Sequence, residues 1–385
     1  MTKKLLIIPA DNISSWISKG EVIDRYFNPE NFFDEIHLLL LNDDKPDLAA
    51  VKKMTGNAKV HIHNFPPPNG FFKKSIGWQP WFLNKWVNGV IPLIKNIAPD
   101  LIRCHGAQLN SYIALKAKLG LGIPYVVSLH INPDVNIRGD AKTLKDKIIT
   151  WFSRKLECRG LKNADRVLPV YEPIVPYLDS MGIDRYQVCY NVLNATHLLK
   201  KESYQLSSPV KIISIGRQFK EKNPRNIIKA LKALTDVEIT FVGDGDLHEE
   251  LKSLSKREGV DHRTIFVKSM PNDDLCKNLH SYDFLALHTE YFEISKVILE
   301  AFLVGLPVLL NHRIGDPVPE LSDNICLRVS DTVEGYFGGL KKMIVDHSFR
   351  ESLGKNSYKI AQDKWAPAKC ERVYVDVYKR IIHAS

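Results

Sequence analysis

The chain is predicted to fold as two doubly wound α/β domains in tandem, and three observations carry that expectation. Its 385 residues exceed what one module needs, at roughly 100–200 residues per domain. Short apolar runs alternate with helix-length stretches from end to end. A polar stretch near the middle is followed by a fresh strand-like run, so the alternation starts twice.

In the first half, Leu5–Ile8, Glu35–Leu41, Val60–Asn64, Leu101–Cys104, Tyr125–Leu129 and Arg166–Pro169 read as strands. They show little alternation of polarity, as parallel strands covered on both faces do. Helix-length segments such as Gln108–Leu119 and Leu144–Leu161 lie between them, and that order implies βαβ units. Residues 1–193 are expected to form an N-terminal Rossmann-like domain. The stretch Leu193–Pro209 is polar and lacks long apolar runs, so residues 194–209 read as the linker.

A second series then begins. Strands are expected at Val210–Ile215, Glu238–Val242, Thr264–Val267, Phe284–Leu287 and Pro307–Leu310. Helices at Arg225–Leu234, Leu247–Glu258, Asp273–Leu279 and Ser295–Val304 fall between them. Residues 210–367 would form the C-terminal domain. The last helix, about 368–385, either continues that domain or packs back on the first. Two such halves are expected to face each other across a cleft, with ligands at the carboxyl ends of the strands.

Composition narrows the function classes. Hydrophobic residues are 44%, charged residues 25%, and Gly and Pro number 21 each. These values exclude disorder, collagen-like repeats and a disulfide-dense mini-fold. Lys and Arg number 53 against 44 Asp and Glu, a formal net charge of +9. That surplus favours an anionic partner (nucleic acid, acidic membrane or phosphorylated small molecule) without choosing among them. No RNA- or DNA-binding module is recognisable, so nucleic acid is not expected. The six cysteines are scattered with no C-x-x-C pair, which offers neither a zinc knuckle nor a redox motif and fits buried thiols in a reducing compartment. The apolar run of the first strand is too short for the roughly 7–15 residues of a signal-peptide core. Nothing approaches the ~20 apolar residues of a membrane span. A cytoplasmic protein is expected.

Four segments carry candidate chemistry. In Ile215-Gly-Arg-Gln-Phe-Lys-Glu-Lys-Asn223 a strand ends at Gly216, and Arg217 and Lys222 follow just before a helix. Arg presents a planar fork of donors and Lys a point charge, and the pair could hold a diphosphate; a solvated turn is the plainer alternative. In Phe241-Val-Gly-Asp-Gly-Asp-Leu247, Gly243 and Gly245 after a strand suggest backbone brought close to a ligand. Asp244 and Asp246 match a D-x-D metal pattern but read better as caps of the following helix, so no metal site is expected. A dinucleotide fingerprint is absent, because His248 stands at the third glycine's place. The third segment, His288 to Val308, has a polar loop with Glu290 and Glu293, then a helix carrying Glu300 among apolar neighbours. A buried carboxylate there needs hydrogen bonds, which two ribose hydroxyls would supply; a position on the exposed face is the alternative. The fourth places His130 just after the strand Tyr125–Leu129, where it is structural or catalytic.

In this order the segments resemble the GT-B glycosyltransferases, specifically the retaining family 4. The resemblance covers most of the chain and is best over residues 210–330. It rests on Gly216-Arg217 through Lys222, on Val242-Gly-Asp-Gly245, on Glu300-Ala-Phe-Leu-Val-Gly-Leu-Pro-Val308, on Gly315 through Glu320, and on Pro124 through His130. The resemblance implies a nucleotide-diphosphate sugar as donor substrate, with no cofactor required. Arg217 and Lys222 would bind the donor diphosphate, Glu300 the ribose, and the backbone at Gly243 to Gly245 the base, with His130 near the transferred sugar. One departure stands out. The family's first motif Glu lies eight residues before the second, and that position is Phe292; Glu293 or Glu290 would replace it.

Sugar transfer builds negative charge on the leaving phosphate, where preorganised cations act most strongly. The expected reaction retains configuration and needs no divalent metal. It moves a sugar to a hydroxyl of a glycan, lipid-linked or similar acceptor in polysaccharide, glycolipid or glycoprotein synthesis. A nucleotide-sugar epimerase or hydrolase, or a non-catalytic GT-B binding subunit, are the alternatives. Residues 141–166 carry eight Lys or Arg beside Ile148, Ile149, Trp151, Phe152 and Leu156, and Lys73 to Trp86 mixes Trp with Lys. These patterns suit peripheral contact with the inner face of a membrane, although an apolar stripe packed into the core is the plainer reading.

Overall fold

The computed structural model describes residues 2–18, 20, 22–68, 71, 80–136, 143–194, 197–313, 315 and 318–384. Residues 73–79, the first half of the Trp- and Lys-containing stretch Lys73 to Trp86, lie outside them, as does Lys142. The chain divides into two compact units, residues 1–192 with 370–385 and residues 193–369.

The first unit is built on six parallel strands: β1 (Lys4–Ile8), β2 (Glu35–Leu40), β3 (Lys59–Asn64), β4 (Leu101–His105), β5 (Tyr125–Leu129) and β6 (Arg166–Pro169). Their order across the sheet is β3-β2-β1-β4-β5-β6. β1, β4 and β5 are buried along nearly their whole length, which is why their sequences show no alternation. Leu5, Ile7, Ile36, Leu38, Leu40, Leu101, Val126 and Leu168 share one core with Tyr374, Val377 and Tyr378 from the C-terminal helix Pro367–Ala384. That helix docks through Arg103, which is 1% exposed. The guanidinium lies 4.6 Å from the Tyr374 ring centroid and donates from Nε to Ser128 Oγ at 3.1 Å. The Tyr374 hydroxyl in turn donates to the Cys189 carbonyl.

The second unit repeats the design with β7 (Val210–Ile215), β8 (Val237–Val242), β9 (Thr264–Val267), β10 (Phe284–Leu287), β11 (Val308–Asn311) and β12 (Leu327–Val329). The order is β12-β11-β10-β7-β8-β9, parallel throughout. Both sheets therefore follow the doubly wound pattern in which the chain reverses direction beside the first strand. Sequence reading found eleven of these strands and passed over β12, whose three residues are only half-buried.

The described residues of the stretch 194–209 carry no helix or strand, yet they are tied to the second unit. Lys201 N–H donates to Val304 O, the Tyr204 hydroxyl to Gly305 O, and the Arg350 guanidinium to Tyr204 O. The helix Lys296–Val304 starts behind Ser295, whose Oγ accepts from Ile298 N–H, and stops at Gly305 with φ +81°, a conformation glycine adopts freely. All six cysteines are free thiols, five of them buried.

Candidate functional site

The carboxyl ends of β7 and β8 are stitched together by backbone. Gly216 N–H donates to Val242 O and Gln218 N–H to Asp244 O, both at 2.9 Å, and Leu247 N–H returns to Gln218 O. Gly243 and Gly245 have φ +143° and +154°. A Cβ on Gly243 would lie 2.0 Å from Gly216 O, and one on Gly245 2.3 Å from Gln218 O. The two glycines thus let the β8 turn lie directly against the β7 turn. Beneath them, buried His248 places Nδ1 2.8 Å from Gln218 Oε1 and meets the Phe266 ring edge-on. Sequence reasoning had noted His248 only for the glycine it replaces. Neither Asp244 nor Asp246 caps the following helix, contrary to the sequence expectation. The helix His248–Arg257 begins behind Leu247 with no side-chain cap, because Asp244 Oδ1 is taken by the N–H of Gly245 at 2.9 Å.

On this platform Arg217 is exposed, with its guanidinium 5.2 Å from the Phe219 ring centroid. Lys222 Nζ lies 3.6 Å from Glu293 Oε1 and 5.2 Å from the Tyr291 ring centroid. A small cavity is lined by Gly216, Gln218, Lys222 and His288. Glu290 N–H donates to Glu221 O at 2.8 Å, tying the loop after β10 to the turn that carries Lys222, while the Glu290 side chain faces solvent. Phe292 turns away toward Gly315, where a Cβ would stand 2.7 Å from the ring. Of the three positions considered for the motif's first carboxylate, Glu293 is the one whose side chain meets Lys222.

Glu300 is 4% exposed, so the exposed-face alternative is excluded. Its Oε1 accepts from Asn272 Nδ2 at 3.1 Å. Burial raises its carboxyl above the usual value, and Asn272, Lys296 and the Cys276 thiol pull partly against that.

Sequence reading missed two members of this region. Asn311, at the end of β11, accepts from Thr289 N–H and donates to Thr289 O and His312 O, clamping the loops after β10 and β11 together. Arg313 has both terminal nitrogens buried with no hydrogen-bond partner among the described residues, and burial holds it down to about 10. With Asn311, His312, Gly315 and Arg328 it lines a cavity of about 160 Å³. The signal available was the pair His312-Arg313 directly after a buried strand.

In the first unit, His130 follows β5. Its carbonyl accepts from the Tyr171 hydroxyl at 2.9 Å, and its ring stacks on His105, centroids 5.3 Å apart and planes 10° apart. His105 is buried against Trp16, Tyr26 and Phe27. Burial first, then Arg103 and His130, hold it well below its ordinary value, so it packs as a neutral ring.

Comparison with known proteins places the chain. Residues 34–197 match the model described as Glycosyltransferase Family 4, and residues 199–360 the model described as Glycosyl transferases group 1. An uncharacterized glycosyltransferase of Methanocaldococcus jannaschii is 22% identical over 299 residues, 73% of this chain and 75% of that protein. The N-acetylgalactosamine-N,N'-diacetylbacillosaminyl-diphospho-undecaprenol 4-alpha-N-acetylgalactosaminyltransferase of Campylobacter jejuni is 25% identical over 347 residues, 88% of this chain and 89% of that one. Among solved structures, Anabaena HepE in complex with UDP superposes with a TM-score of 0.72 at 15% identity, covering 98% of this chain and 100% of that one. With two parallel six-stranded Rossmann-like domains and both family models matched in order, the chain is a GT-B glycosyltransferase of the family 4 type.

Proposed function

We propose that the chain transfers a hexose-type sugar from a nucleoside-diphosphate sugar to a hydroxyl of a glycan or lipid-linked acceptor, with retention of configuration. The observation that carries this reading is the Lys222–Glu293 pair at the carboxyl end of the second sheet, on a turn that also presents Arg217. In this reading Arg217 and Lys222 bind the diphosphate. As the bond from the sugar's anomeric carbon to the leaving phosphate oxygen breaks, they meet the growing negative charge, so the donor site works without a divalent ion. The acceptor oxygen forms the new bond on the same face, and its proton passes to the departing phosphate oxygen. Glu293 orients the sugar and holds Lys222. Glu300 accepts from the ribose hydroxyls, and the backbone at Gly243 to Gly245 faces the base. His130, positioned by His105, serves the transferred sugar.

An acceptor at a membrane surface is supported by the helix Leu144–Asn163. Leu144 is 75% and Trp151 53% exposed, Ile148 and Ile149 are partly exposed, and Lys155 Nζ lies 3.5 Å from the Trp151 ring centroid. That arrangement departs from a stripe packed wholly into the core, although Leu156 is buried. The Campylobacter relative named above acts, by its name, on a diphospho-undecaprenol-linked sugar.

The test is donor consumption across a panel of nucleotide sugars with and without glycan and lipid-linked acceptors. Arg217→Ala and Lys222→Ala should each lower transfer by at least ~10²-fold, and saturating chelator should leave it unchanged. Near wild-type turnover in either variant contradicts the assigned roles, and loss with chelator contradicts metal independence.

A further inference from the structure

A second constellation lies on the first sheet, on residues the transfer chemistry does not use. β2 and β3 are parallel neighbours in register, with Glu35 opposite Lys59, His37 opposite His61 and Leu39 opposite His63. Because strand side chains alternate between faces, Glu35, His37, His61 and His63 line one face, opposite to the core residues Ile36, Leu38, Val60 and Ile62. Three imidazoles and a carboxylate are thereby gathered beside the sheet edge. One donor atom each from Glu35, His37 and His61 lies within 4.8 Å of the others. The rings of His37 and His61 stack at 4.5 Å and those of His37 and His63 at 5.3 Å.

The hydrogen-bond bookkeeping leaves one gap. His37 Nδ1 is 3.0 Å from His63 Nε2. Its other nitrogen, Nε2, is buried with no hydrogen-bond partner among the described residues and sits 3.6 Å from Glu35 Oε2, beyond hydrogen-bond reach. With His37 donating from Nδ1 to His63, its Nε2 lone pair faces the Glu35 carboxylate. Two acceptors facing each other in this way are satisfied by a cation. Lys4 Nζ approaches the same oxygen, Glu35 Oε2, at 3.7 Å, so a bound ion would share that carboxylate with the ammonium or displace it. Lys59 is exposed at the rim.

We propose that Glu35, His37 through Nε2, and His61 bind a divalent transition metal of the Zn²⁺ class, with His63 accepting from His37 Nδ1–H as the residue that orients the ring. Mixed imidazole and carboxylate ligation at about 2.0–2.2 Å is what Zn²⁺ takes. An outer partner on the second ring nitrogen is the usual companion of a ligating histidine. The ligands come from two strands, so the ion would pin β3, the edge strand, to β2. This site lies outside the donor-binding unit and stands whether or not the proposed transfer reaction is correct.

The test uses the full chain, stripped with chelator and then titrated with Zn²⁺ alone, followed by metal analysis after gel filtration. One Zn²⁺ per chain is expected, lost in Glu35→Gln and His61→Gln, bound about 10–100-fold more weakly in His63→Gln, and unchanged in the distant His347→Gln. Loading wild type with Co²⁺ provides a reading that needs no variant: visible d–d absorption without a thiolate charge-transfer band is expected. Failure of wild type to retain Zn²⁺, retention unaffected by His61→Gln, or a thiolate band would each overturn the site.

Discussion

Glu300 accepts from the Asn272 side-chain amide, and burial raises its carboxyl against the opposing pull of Asn272, Lys296 and the Cys276 thiol. The sign follows directly: a carboxyl raised in the folded state favours its protonated form, so its charge costs stability once pH exceeds the unfolded value, and the cost is largest near neutrality. Glu300→Gln should therefore leave the ligand-free melting temperature at pH 7 equal to or above wild type. It should also weaken nucleotide binding by about 10–100-fold, since hydrogen bonds to a charged group are worth about 1.5–3 kcal/mol. Thermal melts and a nucleotide titration on the same variant check both. At the neighbouring motif position, Glu293→Gln should depress transfer strongly and Glu290→Gln should leave it near wild type, because only the former side chain meets Lys222; equal effects would contradict the assignment. This much was half-legible: the spacing put Phe292 where a carboxylate was wanted and left Glu290 and Glu293 open. The choice between them needed the packing of Phe292 on Gly315, a contact across 23 residues that no local pattern announces.

At the scale of elements, the β7 and β8 turns act as one piece because two glycines allow backbone against backbone. Gly243→Ala meets a carbonyl oxygen at 2.0 Å in addition to an unfavourable φ. It should cost at least about 1–3 kcal/mol, the usual price of a strained backbone position. A drop of several degrees in melting temperature is expected, together with weaker donor binding, and an unchanged melt would contradict the stitched turns. Strands buried on both faces were legible as apolar runs. β12 was not, since three half-buried residues at a sheet edge carry too little hydrophobic signal. The helices Val333–Val345 and His347–Lys364 were likewise passed over. Each starts from a side-chain cap, Thr332 accepting from Gly335 N–H and Asp346 from Phe349 N–H, and those caps were readable signals. The expected cap at Asp244 failed for a different reason: a short carboxylate can satisfy its own neighbour's N–H before it reaches the helix.

For the whole molecule, two sheets of identical strand order account for the fold class that the double alternation predicted. No helix among the described residues is long and apolar enough to cross a membrane. With Leu144, Ile148 and Trp151 outward on a helix rich in lysine and arginine, vesicles containing anionic lipid should capture the chain at low salt. Added salt should release it, because surface charges are screened beyond about 10 Å at 0.1 M, and Trp151→Ser should weaken capture in flotation. Absence of binding at low salt would contradict the membrane contact. The central claim concerns the diphosphate, and calorimetric titration of UDP, GDP and ADP into wild type, Arg217→Ala and Lys222→Ala tests it most directly. At least one of the three should bind wild type and lose at least ~10-fold in affinity in each variant, as expected for charge-assisted phosphate contacts, while the matching nucleoside without phosphates binds all three proteins alike. Equal affinity of that diphosphate for wild type and both variants would contradict it.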